Sequence, residues 1–344
     1  MSVIVPIPPI HQRKFLQCNS PSVTLVEMMH FDPLTAVHYQ ETDPGLDWVK
    51  DPAIAIDLDS PLDSLKVLTP NVVKLPEGGY RMYYTGFGPA RTVENSSGYI
   101  VSTYSADAHT WVKEEGVRMD VHEPYASQRT LCPDVIPLHD GRWRMYFEAR
   151  TPGQASHVLS AVSADGLEWQ PEPGIRFGDG EWSYGSPRCL YFKEAGRIRF
   201  RLYCHHYSEP MISGLDAQNH IVSAVSDDGL HFEAEPGVRI RQENVFESYA
   251  VYAPEILRLG DGSYRMYYPG WSEDPMHGRI FSAVSQDGIE WSKDDGIRVD
   301  IGGPHDQIHC SEPCVIDLPN GQRRMFYEAC DKDRNWRILS ATNP

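Results

Sequence analysis

The feature that most constrains this chain is a heptad spelled four times. SADGLEW spans Ser163 to Trp169, SDDGLHF spans Ser226 to Phe232, and SQDGIEW spans Ser285 to Trp291. A looser SADAHTW runs from Ser105 to Trp111. The starts lie 58, 63 and 59 residues apart, a period that suits propeller blades or solenoid units. Other blocks recur around each heptad in a constant order. A proline motif opens each unit: TPNVV at Thr69, CPDVI at Cys132, SPRCL at Ser186, APEIL at Ala253 and EPCVI at Glu312. A glycine-containing turn follows, then an aromatic block such as RMYYTG at Arg81 or RMYFEA at Arg144. Next come a SAVS-type strand, the heptad, and a GIR-type strand. Short β-branched and aromatic runs joined by Gly and Asp turns are hairpin chemistry.

No helical period interrupts this order, so the expected class is all-β. The expected architecture is a five-bladed β-propeller with four antiparallel strands, A to D, in each blade. The fifth unit stops at its C strand, WRILSATNP from Trp336. DPGLDWVKDPAIAI, residues 43–56, matches DGLEWQPEPGIRF, residues 165–177. It is expected to supply the missing outer strand of blade five and so remove open sheet edges. Residues 41–344 then form one propeller domain, and residues 1–40 a strap with no blade counterpart.

The heptad itself reads as the C–D turn. Asp and Gly supply turn geometry, Ser bonds the local backbone, and Trp or Phe packs between blades. The tight A–B and C–D turns share one face. The long D–A and B–C loops share the other, and rigid scaffolds carry binding on long loops. A pocket is expected where A strands begin and B strands end. The polar residues there are Asn71, Asp134, Arg188, Glu255 and Glu312 from A strands. Glu148, Arg150, His205, His206, Trp271 and Glu328 come from B-strand ends.

Charge and cysteine usage narrow the partners. The formal net charge is −17, which disfavours nucleic acid and anionic membranes. No run of about 18 apolar residues offers a membrane span. The 7 cysteines form no CxxC pair, which points to reduced thiols in a cytoplasm. The opening MSVIVPIPPIHQRKF lacks the form of a signal peptide.

The proline-motif blades resemble the five-bladed glycosidase propellers, glycoside hydrolase families 43 and 32 above all, with the family 130 mannoside phosphorylases a cousin. The resemblance runs from about Asp43 to Pro344. CPDVIPLHDGRWRMYF from Cys132 is similar to the family 43 block whose Asp tunes and orients the acid, and this points to Asp134. The rest of the trio departs from that pattern. The base slot reads TPN, the acid slot reads YGSPR, and glutamates stand instead at APE (Glu255) and SEP (Glu312). The DP at Asp51–Pro52 belongs to the closing strand, away from the axis.

Three readings follow. The first is a carbohydrate-active, glycoside hydrolase-like enzyme acting on a glycoside or related polar small molecule. Its acid is Glu255 or Glu312, its base or tuner Asp134, and its clamp Arg188, with Arg150, Glu148, Glu328 and Asn71 as further substrate contacts. Trp271 and Trp182 are stacking platforms. Such cleavage needs two carboxyls, one protonated and one ionised, and requires no cofactor. The second reading is a metal-dependent enzyme holding a divalent cation at His205. The third is a sugar-binding propeller without turnover.

Overall fold

The computed structural model describes residues 31–89, 98–208, 211–212, 214 and 218–343. The stretch before Phe31, most of the expected strap and Cys18 with it, lies outside them, as do parts of two B–C loops. The described chain is nearly all β, and its strands pair in antiparallel ladders.

The first ladder runs Lys66–Lys74, Tyr80–Phe87, Tyr99–Ser105 and Val112–Lys113. The second runs Arg129–Pro137, Trp143–Arg150, His157–Ser163 and Gln170–Pro171. Ser183–Glu194, Arg197–Tyr207, His220–Ser226 and Glu233–Ala234 make the third. The fourth is Glu255–Leu259, Tyr264–Trp271, Gly278–Ser285 and Ser292–Lys293. In the last, His309–Asp317, Arg323–Cys330 and Trp336–Asn343 are joined by Val49–Lys50, which pairs with Ala341 and Thr342. The A strands touch in cyclic order, and that of the fifth ladder returns to that of the first.

Two sets of bonds hold neighbouring ladders. The outer set uses the RMYY block and the heptad turn. Tyr83, Tyr146 and Tyr203 donate to the carbonyls of Gly166, Gly229 and Gly288 in the next ladder, at 2.8, 2.9 and 2.8 Å. Tyr267 donates to Gly45 at 2.7 Å, so the segment near the N-terminus takes the same place for the fourth ladder. Gly166 has φ +73°, and a Cβ there would meet the Tyr83 hydroxyl at 2.6 Å. The turn therefore needs glycine for both conformation and approach. Asp165 accepts from the backbone N–H of Leu167 and Glu168. Trp169 packs edge-on to Tyr83 of the preceding ladder.

Each RMYY arginine also pairs with an acid of its own D strand: Arg81 with Glu114, Arg144 with Glu172 and Arg201 with Glu235. Asp51 fills that role for Arg324, at 3.3 Å, and accepts from Ser340 Oγ at 2.6 Å. The DP motif thus holds a strand.

One compact unit starts at Asp32. Tyr39–Gln40 pair in parallel with Arg258 and Leu259, at the end of an A strand rather than its start. His38 enters the axis from that end.

Candidate functional site

The five A strands share a local distortion that builds two layers of side chains along the axis. The residue before each proline has positive φ: Thr69 +56°, Cys132 +53°, Ser186 +45°, Ala253 +42° and Glu312 +50°. Register shifts fall at the motif in four ladders, for example between Leu131 and Asp134 and between Ser311 and Cys314. A non-glycine residue in the left-handed region costs about 1–3 kcal/mol. Bulges of this kind re-aim a side chain. Thr69, Cys132, Ser186 and Glu312 all line one cavity of about 390 Å³ at the start of the A strands.

The B strands add a second column, the fourth residue after the RMYY arginine. Thr85, Glu148, His205 and Glu328 occupy it and line the same cavity. Three carboxyl side chains, Glu148, Glu312 and Glu328, each 5% exposed, therefore share one opening. Trp271, Trp336, Tyr207, Tyr252, Arg129 and Lys66 complete the working wall.

Their bonding differs. Among the described residues Glu312 receives one weak hydrogen bond, from Ser186 Oγ at 3.2 Å. Burial, and then the charge of Glu328, push its pKa well above the usual carboxylate range, against the pull of Arg188. Glu328 accepts from Ser311 Oγ at 2.8 Å and from the Thr69 N–H at 3.1 Å. Burial raises its pKa to about 7 despite those two bonds. Like charges in one desolvated site cannot both ionise easily, so this pair retains a proton near neutrality. Glu148 is ion-paired with Arg129 at 2.8 Å and accepts from Tyr207 OH at 3.1 Å. A Cβ at Gly185 would lie 2.1 Å from Glu148 Oε2, so the glycine makes room for that carboxylate. Cys132 Sγ lies 3.9 Å from Glu148 Oε2 and 3.6 Å from Ser186 Oγ. Burial pushes its thiol pKa well up.

The residues after the prolines form a different layer. Asn71, Asp134, Arg188, Glu255 and Cys314 are buried and lie outside the lining of the cavity. Each reaches the next ladder. Asn71 Oδ1 accepts from the Val135 N–H at 3.0 Å, and Asp134 from the Cys189 N–H at 2.7 Å. Arg188 donates to Glu255 at 3.0 Å, and Glu255 accepts from the Val315 N–H at 2.9 Å. Cys314 Sγ accepts from the Val72 N–H at 3.2 Å, which returns the cycle to the first ladder. His38 completes the layer, 3.0 Å from Asp134 and 3.8 Å from Glu255. Burial opposes its charge, but the two carboxylates outweigh burial and raise its pKa to about 9.

The candidate residues therefore separate. Glu148, Glu312, Glu328, Trp271 and His205 come together at the cavity. Asp134, Asn71 and Arg188 are buried in the layer beneath, outside its lining, and Glu255 lines a second cavity with His38 and Cys314. Arg150 lines a separate recess with Gln128 and His157. Trp182 stacks on His206, with centroids 4.7 Å apart, and does not line the cavity. Trp271 lines it but already stacks on His309 at 4.5 Å. His205 stacks on Tyr207 at 4.5 Å, and its buried Nε2 has no hydrogen-bond partner. Burial lowers its pKa to about 3, leaving it neutral. Among the described residues, no group of three or more His, Cys, Asp or Glu side chains stands where it could hold a metal ion. Sequence reading missed Cys132, Ser186, Arg129, Tyr207, Tyr252, Lys66 and Trp336. The first two were legible as the pre-proline column; the others carry no repeat signal.

The comparisons agree with this geometry at the level of fold. A structure described as a glycoside hydrolase superposes with TM-score 0.69 at 16% identity, covering 86% of this chain and 92% of that one. A thermostable family-43 glycoside hydrolase gives 0.63 at 17%, covering 82% and 90%. A structure from work on glycoside hydrolases in the GH130 family of mannoside phosphorylases gives 0.67 at 12%, covering 89% and 96%. The fold is that of the glycoside hydrolase propellers. No family model matches the chain.

In sequence, the chain is 30% identical over 217 residues to the uncharacterized protein Rv1502 of Mycobacterium tuberculosis, covering 58% of this chain and 68% of the relative. The uncharacterized protein MT1551 of the same species matches to the same extent. The chain belongs to the family of these two proteins. Among its described residues no helix is long and apolar enough to cross a membrane.

Proposed function

We propose that this chain is a five-bladed propeller enzyme that cleaves a glycosidic bond, with Glu312 as general acid. The observation that carries this reading is the meeting of three carboxyls in one cavity; burial and the charge of Glu328 favour the protonated form of Glu312. Glycoside cleavage requires one carboxyl to protonate the leaving oxygen and another to act as carboxylate. Glu312 suits the first role, being desolvated and only weakly bonded. Glu148 suits the second, since Arg129 and Tyr207 orient it as an ion-paired carboxylate. Glu328 tunes Glu312 through its charge. Asp134, Arg188 and Glu255 hold the floor on which Glu312 stands, and Arg188 acts on Glu312 electrostatically.

The substrate is a sugar or a similar polyhydroxyl compound, bound among Trp336, Tyr252 and Tyr207. A cytoplasmic setting is supported by the six described cysteines, all free and buried. Glu312→Gln and Glu148→Gln, assayed on a panel of aryl glycosides, test the assignment. Each is expected to lower kcat by about 10²–10⁴-fold with the melting temperature preserved. Full turnover in both variants would overturn it. Binding of sugars without turnover by the wild type would leave a sugar-binding propeller instead.

A further inference from the structure

One cation at the cavity wall has no hydrogen-bond or ion-pair partner among the described residues. Lys66 lines the cavity beside Trp336 and Glu328. Its ammonium lies 5.4 Å from the Trp336 ring centroid and 6.0 Å from that of Phe87. Among the described residues it has neither a hydrogen bond nor an ion pair within 4.0 Å. The other cation of the wall, Arg129, is already committed to Glu148. Burial lowers the Lys66 pKa, and Glu328 is the first group that opposes this. A partly desolvated ammonium over two aromatic faces gains cation–π energy of about 0.5–2 kcal/mol. The rings supply no hydrogen-bond acceptor to the ammonium.

We infer that the sugar bound in this cavity carries a carboxylate and that Lys66 is the residue that recognises it. The inference rests on the glycoside-cleaving reading above. It names the substrate class as uronosides, sugars whose C6 is a carboxylate. The carboxylate of Glu148 is held by Arg129, so Lys66 is the cation left to orient such an anion and fixes which end of the sugar lies where. A single ammonium matches a singly charged carboxylate. A phosphate dianion is better met by two or more cations or by a bidentate arginine, and Arg129 is not free to serve. Lys66 is therefore a specificity residue that takes no part in proton transfer.

Binding can be read without turnover. The full chain would be titrated calorimetrically with methyl β-D-glucuronide and methyl α-D-galacturonide. The neutral controls are the corresponding methyl glucoside and galactoside, and inorganic phosphate is a separate titrant. At least one uronide is expected to bind about tenfold or more tightly than its neutral counterpart, a difference of about 1.4 kcal/mol. Lys66→Met is expected to abolish that preference. Lys66→Arg, which keeps the charge, should retain most of it and guards against a folding defect in the first variant. Equal binding of neutral and acidic sugars by the wild type, or a preference that survives Lys66→Met, would overturn the inference and leave the sugar cavity standing. Tight phosphate binding lost in Lys66→Met would overturn it in favour of a phosphate site. Failure of every sugar to bind would overturn both this inference and the glycosidase reading.

Discussion

Two layers of the axis are built from neighbouring positions of the same five strands, and they meet opposite fates. The residues before the prolines line an open cavity: Thr69, Cys132, Ser186 and Glu312. Those two positions on, Asn71, Asp134, Arg188, Glu255 and Cys314, are buried outside that cavity and tie each ladder to the next. The left-handed backbone of the pre-proline residue divides them. Chemical type alone therefore says little about role. Glu312 and Glu255 are both glutamates of a proline motif. One is held by a single hydroxyl, and the other by an arginine and a backbone N–H. A buried carboxylate with partners in hand is structural; one short of partners is available for chemistry.

The contrast can be broken first by stability. Arg188→Ala takes the guanidinium from Glu255 and leaves it with His38 and the Val315 N–H, and losing one member of a buried ion pair costs about 3–5 kcal/mol. Denaturant unfolding should show a loss of that size. A loss under 1 kcal/mol would mean that the buried layer does not hold the ring.

His38 sharpens the same point through pH. Its folded pKa, about 9, lies above the ordinary value near 6.5. Its contribution is thus fully present below about pH 6.5 and fades as pH rises through 9. His38→Ala should lower the unfolding free energy by about 2–3 kcal/mol at pH 6, and the gap to wild type should narrow toward pH 10. A gap independent of pH would remove His38 as a charged member of the layer.

In the open layer the expected effects fall on pH–rate profiles. The acid must be protonated, so kcat/KM should fall as pH rises past neutrality. Glu328→Gln removes the charge that raises the Glu312 pKa, so the alkaline limb should move to lower pH. A limb that stays in place would show that the two groups do not share a proton. The smallest effect belongs to the heptad. Asp165→Ala removes two local bonds to backbone N–H groups, should cost about 1 kcal/mol, and should leave kcat unchanged. A loss of activity there would require a role beyond the turn.

Much of the fold was legible because the repeat states it. The heptad turns, the paired Arg and aromatic positions and the strand match of residues 43–56 are all sequence-local patterns. The site was only partly legible. The proline motifs put Asn71, Asp134, Arg188, Glu255 and Glu312 in one set, but Glu312 stands before its proline and the others after theirs. A backbone bulge decides which column faces the opening, and no propensity marks a threonine or a glutamate for positive φ. The B-strand column was easier, since Glu148, His205 and Glu328 share one slot and strands alternate their faces. Trp182 and Arg150 lie away from this cavity, Trp182 on His206 and Arg150 in a separate recess; Trp182 precedes its strand, where no register aims a side chain.

The most direct test sets one residue of each layer against the other, reading kcat on an activated aryl glycoside together with the melting temperature. Glu312→Gln should lose about 10²–10⁴-fold in kcat and keep its melting temperature. Arg188→Ala should lose stability first, its activity falling only as the fold loosens. The reverse pattern, turnover intact in Glu312→Gln and abolished in a stably folded Arg188→Ala, would contradict the assignment of chemistry to the open layer.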